Sequence, residues 1–124
     1  MHPVIKAAIE EAGDAFGREQ VTFAELADSS VKVTVSGLDI GDGWDPRIIS
    51  ITTILLTTFP SPPPYPFNLP AALRKADGGT LPNMRPATVD GVVVSQLSVR
   101  PLGSQPTSSF PALIRAVVSW LRDR

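Results

Sequence analysis

Apolar positions recur at helical spacing at both ends of the chain. In residues 3–18 they fall three and four apart, and Pro3 suits a first helical turn. In residues 109–121 the apolar stripe is wider, Ser108 or Ser109 can cap it, and Pro111 lies in the first turn. The pattern predicts an N-terminal and a C-terminal helix, each with one face packed on a sheet.

Strand patterns fill the region between the two predicted helices. Residues 31–35 alternate strictly between apolar and polar, and residues 48–58 are β-branched and long enough for a central strand. Residues 21–26 and 89–99 are further candidate strands, while residues 71–80 fit either a short helix or a strand. Strands enclosed by a helix at each end indicate the α+β class.

A proline cluster follows the predicted central strand. Residues 59–70 hold six of the thirteen prolines of the chain. Since proline has no backbone N–H and a fixed φ, we expect this segment to leave the sheet as a rigid extended exit. Phe59, Tyr65 and Phe67 would pin it to the core. The alternative is an exposed polyproline ligand for a partner domain, but the aromatic neighbours favour burial.

Composition narrows the functional classes. The 124 residues, 43% of them apolar, predict one domain over residues 1–124 with its own core. A net charge of −1 without a basic stripe argues against a nucleic-acid partner. The chain has no cysteine and one histidine, His2, so we expect no disulfide, metal, cofactor or histidine triad. Short apolar runs and the absence of a signal-peptide core predict a cytoplasmic protein that does not enter membranes.

The loop at Gly41-Asp42-Gly43 could suggest a site for calcium or phosphate. It lacks the ligand spacing and the following helix that such a site needs.

Three pieces of the chain, in this order, resemble the ubiquitin-conjugating enzyme family. Residues 59–70 resemble its proline turn, Pro82-Asn83-Met84 its Pro-Asn loop, and residues 90–97 the segment that bears its catalytic cysteine. The resemblance implies an α+β fold with an N-terminal helix and a four-stranded antiparallel meander. The proline-rich turn, the active-site loop and a C-terminal helix crossing the sheet would follow, without the family's last two helices.

The chain departs from the family at the nucleophile. Counting from Gly91 places the cysteine position at Val94, whereas counting back from Pro106 places it at Ser95. The histidine that precedes Pro-Asn in the family is Leu81 here. Of the two candidates only Ser95 can form an acyl intermediate, and serine needs activation to attack.

The resemblance therefore implies a site of three residues. Ser95 would carry the modifier as an oxyester, Asn83 would stabilise the oxyanion through its amide, and Asp90 is the candidate base. The alternative is a structural role, in which the Ser95 hydroxyl only faces solvent at the end of a strand.

Three functions follow from this. The chain is either a bacterial-type carrier of a ubiquitin-like modifier, served by an adenylating activating enzyme, or an inactive variant that only binds the modifier or a partner enzyme. The third is a structural or assembly protein, such as a small phage or secretion component, whose proline segment only resembles the turn.

Overall fold

The computed structural model describes residues 1–60, 64, 66–80, 83–89, 91–98 and 109–124. Two helices are present in this part of the chain, α1 at Pro3–Phe16 and α2 at Phe110–Arg122. Both predicted helices are thereby confirmed. Ser109 caps α2, since its hydroxyl accepts a hydrogen bond from the Ala112 N–H at 3.2 Å. Several residues named above fall outside the described ones: Tyr65, Leu81, Pro82, Asp90, Pro106 and Ser108.

Eight strands lie between the helices in the part of the chain that the structure describes. They are β1 (Val21–Glu25), β2 (Val31–Asp39), β3 (Trp44–Asp45), β4 (Ile48–Leu55), β5 (Phe67–Pro70), β6 (Arg74–Lys75), β7 (Met84–Val89) and β8 (Val92–Leu97). Six of them form one antiparallel sheet in the order β1-β2-β4-β5-β8-β7, and β3 and β6 form a separate two-stranded ribbon.

The core lies between one face of the sheet and the two helices. Alternate residues of β2 and β4 are buried, as the alternation of residues 31–35 predicts for β2, while Ile5 of α1 and Ile114 of α2 are fully buried in the same cluster. Phe59 and Phe110 complete it with an edge-to-face contact, their ring centroids 6.5 Å apart. The predicted α+β class is confirmed. None of the described helices is long and apolar enough to cross a membrane.

The opposite face of the sheet has a polar row that crosses every strand. Each member is the direct cross-strand neighbour of the next, and hydrogen bonds join two of the pairs. The row consists of Thr22, Thr34, Thr52, Asn68, Gln96 and Arg85. Polar residues on one face and apolar residues on the other are the pattern of an antiparallel sheet with one solvated side.

The proline segment corrects one prediction. We expected residues 59–70 to leave the sheet, but Phe67–Pro70 forms β5, which pairs with both β4 and β8. Five of the six prolines precede this strand, so Phe67, Asn68 and Leu69 retain three consecutive backbone donors. The expectation that Phe59 and Phe67 reach the core is confirmed, since both are buried.

Two further regions differ from the sequence pattern. Residues 71–80 form turns around the two-residue strand β6 instead of a helix or a full strand. The sheet also has six strands where the resemblance implies four, because the hairpin of β7 and β8 joins its far edge.

The ribbon fastens the end of α2. The indole N–H of Trp44 donates to the Leu121 carbonyl at 2.7 Å in the buried interior. The guanidinium of Arg122 donates to the Asp39 carbonyl at 3.0 and 2.9 Å. The last turn of the helix thus has a partner for the Leu121 carbonyl on β3 and a partner for its terminal cation at the end of β2.

Candidate functional site

A cleft of about 250 Å³ lies between the β7–β8 hairpin and the β3–β6 ribbon. Its walls are mainly apolar, with Trp44 and Leu73 on one side and Met84, Pro86 and Val93 on the other. Met84 and Pro86 pair with Leu97 and Ser95, so they belong to the sheet face that carries the core. The cleft is therefore the uncovered end of the same face that the helices cover elsewhere.

Ser95 lies in this cleft, in the interior of the sheet. Its strand β8 has a neighbour on each side, and Ser95 pairs with Leu69 of β5 and with Pro86 of β7. The residue is half-buried and shares its face with the fully buried Leu97. Val94, the other candidate position, has the opposite orientation and pairs with Pro70 and Ala87. Both candidates line the cleft, and Ser95 is the one that shares its face of the sheet with Met84, Pro86 and Val93.

Asn83 lies opposite Ser98 and not opposite Ser95. Its carbonyl accepts a hydrogen bond from the Ser98 N–H at 2.9 Å, so its backbone lies opposite Ser98. Ser98 is three residues beyond Ser95, roughly 10 Å along a strand that rises about 3.3 Å per residue. Within the described part of the chain, no hydrogen bond joins the two side chains. The candidate base Asp90 lies outside the described residues, so its role stays a prediction.

The described residues that line the cleft include no carboxylate and no histidine that could act as a base for a serine. Without a neighbouring base, a serine hydroxyl is a weak nucleophile at its ordinary pKa. Nor do the described residues group histidines and carboxylates into a cluster that could hold a metal ion. What the cleft offers is a mainly apolar surface with two hydroxyl groups, those of Thr80 and Ser95.

Three cations line the cleft, Arg74, Lys75 and Arg85, and the first two have a polar partner. The Arg74 guanidinium lies 3.8 Å from the Asp45 carboxylate, and the Lys75 ammonium donates to the terminal carbonyl of Arg124. Lys75 also lies 5.9 Å from the centroid of the Trp44 ring, within reach of a cation–π interaction. The chemistry that the cleft can recognise is therefore chiefly apolar.

Comparisons with known proteins give no relative. No family model matches the chain, and neither a curated protein nor a solved structure gives a significant match. The resemblance to the ubiquitin-conjugating family therefore depends on the motifs and their order alone.

Sequence reasoning missed the walls of the cleft and the ion cluster beside the ribbon. Arg47 donates to both carboxylate oxygens of Asp39 at 2.9 Å and to Asp42 at 2.7 Å. The hydrogen bonds from Arg47, then that from the Gly41 N–H, lower the pKa of Asp39 from 3.8 to about 2. The sequence predicted no ion site in the loop at Gly41-Asp42-Gly43. In the structure this loop contributes to a cluster of Asp39, Asp42 and Arg47, here called the Asp39 clamp. The sequence feature that could have indicated this cluster is Arg47, which follows Asp39 and Asp42 across a turn.

Proposed function

We propose that the chain is a ubiquitin-conjugating-type domain that binds a protein partner and does not transfer a modifier. In this proposal it acts in the cytoplasm, in a bacterial-type conjugation pathway. There it docks a ubiquitin-like modifier or the adenylating enzyme that activates the modifier. The observation that carries the proposal is the position of Ser95 in a central strand, with no base among the described lining residues and about three residues of strand between it and the level of Asn83.

The cleft supports docking at this place. An apolar recess with few polar groups is the usual form of a recognition site. At about 250 Å³ it is smaller than most sites for drug-sized molecules, so it suits one or two anchoring side chains of a protein partner. Val93, on its wall, is 56% exposed and has no covering element among the described residues.

The second candidate is a carrier that uses Ser95 for an oxyester. One observation favours this function: Ser95 is half-buried and lines an open cleft, and it is not enclosed in the core. In that reaction the serine oxygen would attack the thioester of the charged activating enzyme. The enzyme thiolate would leave, and the serine proton would pass to a base. Asn83 and Asp90 remain the residues predicted to assist.

Affinity purification from the native host tests the binding proposal. The tagged chain should retain a ubiquitin-like protein or an adenylating enzyme without a covalent link. Recovery of neither, from cells that encode both beside this chain, would contradict the proposal.

Two neighbouring valines give a matched pair of variants. Val93→Glu places a charge on the cleft wall and should abolish retention. Val92→Glu changes an equally exposed valine, 60% exposed, on the other face of β8 and should leave retention intact. Loss with Val92→Glu alone would place the partner on the polar face of the sheet instead of in the cleft.

A further inference from the structure

The two free edges of the six-stranded sheet differ in their capacity to pair. In an antiparallel ladder, N–H and C=O groups point alternately toward the neighbouring strand and away from it. The hydrogen bond from the Ser98 N–H to the Asn83 carbonyl fixes this alternation for β7. By that alternation the outward positions of β7 are Met84, Pro86 and Thr88.

Pro86 closes the β7 edge. It occupies the middle outward position, where any other residue would present an N–H to an incoming strand. A proline at such a position is one of the ways in which sheets avoid edge-to-edge pairing. The β7 edge is therefore interrupted at its centre.

The β1 edge is uninterrupted. The Leu26 N–H donates to the Ser30 carbonyl at 2.8 Å, which makes the backbone groups of Val21, Phe23 and Glu25 point away from β2. None of these is a proline, and the residues from Thr22 to Glu25 are all exposed. A strand with this edge can accept another strand through three consecutive outward positions.

Exposed apolar side chains gather at the same edge. Phe23 is 50% exposed, although it occupies the sheet face on which the helices pack. Met1 and Val4, at the start of α1, are 47% and 38% exposed, and the Met1 ammonium lies 3.6 Å from the Glu25 carboxylate. Exposed apolar groups beside a free edge are typical of an interaction surface.

We propose that the β1 edge is a homodimer interface in which two copies of β1 pair antiparallel about a twofold axis. Phe23 is the central residue of β1, so the symmetric register places it opposite Phe23 of the other copy, and Val21 opposite Glu25. The outward backbone N–H and C=O groups of each copy then face those of the other copy. The two Phe23 rings lie side by side at the centre of the interface. The two sheets join into one.

Charge complementarity favours a second copy over a foreign strand. Arg18 begins the 3-10 turn that precedes β1, and Asp28, whose carboxylate accepts hydrogen bonds from Ser30, lies in the turn that follows β1. Antiparallel pairing therefore brings Arg18 of one copy and Asp28 of the other to the same end of the joined strands, twice in the dimer. The Arg18 side chain is 88% exposed and has only a 3.7 Å contact to Asp14. This inference is independent of the proposed function.

Sedimentation and amide hydrogen exchange of the intact chain test the interface together. Over a dilution series the mass should pass from twice 13.2 kDa to 13.2 kDa. The amides of Val21, Phe23 and Glu25 should exchange at least about tenfold more slowly in the dimer than in the monomer. The amides of Thr22 and Ala24, which face β2, should be protected in both.

Variants separate this interface from others. Phe23→Glu should shift the equilibrium to monomer by at least about tenfold, whereas Ile48→Glu, at a residue 59% exposed, should not. A mass of 13.2 kDa at every concentration would overturn the proposal, and so would a dimer that persists in Phe23→Glu. Protection of the edge amides only when another protein is added would assign the edge to a foreign strand and also overturn it.

Discussion

The indole nitrogen of Trp44 lies 2.7 Å from the carbonyl oxygen of Leu121, a contact between residues 77 positions apart. It connects the β3–β6 ribbon to the last turn of α2. Since Trp44 also forms a wall of the cleft, the same residue shapes the candidate site and fixes the helix beside it. Trp44 therefore couples the wall of the cleft to the end of α2.

Trp44→Phe should destabilise the protein by about 1–3 kcal/mol, because it removes a buried hydrogen bond and leaves the Leu121 carbonyl unpaired. Chemical denaturation measures the free energy of unfolding. Trp120→Phe, at the other tryptophan, is the control and should change it by less than about 1 kcal/mol, since that ring is only partly buried. Equal effects of the two substitutions would show that the Trp44 hydrogen bond contributes nothing.

The Asp39 clamp should make stability depend on pH under acid conditions. Its pKa is about 2 in the folded protein and 3.8 ordinarily, so the unfolded chain binds the proton more readily. The contribution is complete above pH 3.8 and is lost as the pH falls toward 2. Thermal unfolding of the wild type should therefore fall in midpoint across this interval, and Asp39→Asn should flatten the dependence.

Asp14→Asn is the control for the clamp. Asp14 has an exposed contact to Arg18 at 3.7 Å, and exposed pairs of this kind contribute little to stability. This variant should keep the pH dependence of the wild type. An unchanged acid dependence in Asp39→Asn would mean that other groups cause it.

The cap of α2 makes a separate contribution. Ser109→Ala removes the acceptor for the Ala112 N–H and should lower the free energy of unfolding by about 1 kcal/mol. Ser119→Ala, at an exposed position inside the same helix, should be neutral or slightly stabilising, because alanine has the higher helix propensity. Circular dichroism during urea unfolding measures both. A neutral Ser109→Ala would show that the hydroxyl is not needed as a cap.

The elements that the sequence could predict are those with a local signal. The spacing of apolar residues marks both helices, a serine at 108 or 109 marks the start of α2, alternation marks β2, and β-branched residues mark β4. β5 was missed because prolines dominate its surroundings, although the strand itself needs only the donors of Phe67, Asn68 and Leu69. A residue-by-residue pattern does not show which prolines precede a strand and which interrupt it.

The candidate site was less predictable for a different reason. The motifs selected Ser95, but the cleft around it is formed by β3, β6, β7 and β8, whose short strands carry no distinctive pattern. Nor does spacing in sequence set the separation of Ser95 and Asn83, which depends on the register of β7 against β8. Long-range pairing of this kind appears only in three dimensions.

The mass of the intact chain after incubation tests the central claim most directly. The chain and Ser95→Ala would each be incubated with ATP, the ubiquitin-like protein and the adenylating enzyme recovered from the host. A binding domain predicts that both chains keep their own mass, 13.2 kDa for the wild type, while the partner still co-elutes with each under native conditions. A hydroxylamine-sensitive, reductant-resistant adduct of the wild type, absent from Ser95→Ala, would contradict the account and identify a serine carrier.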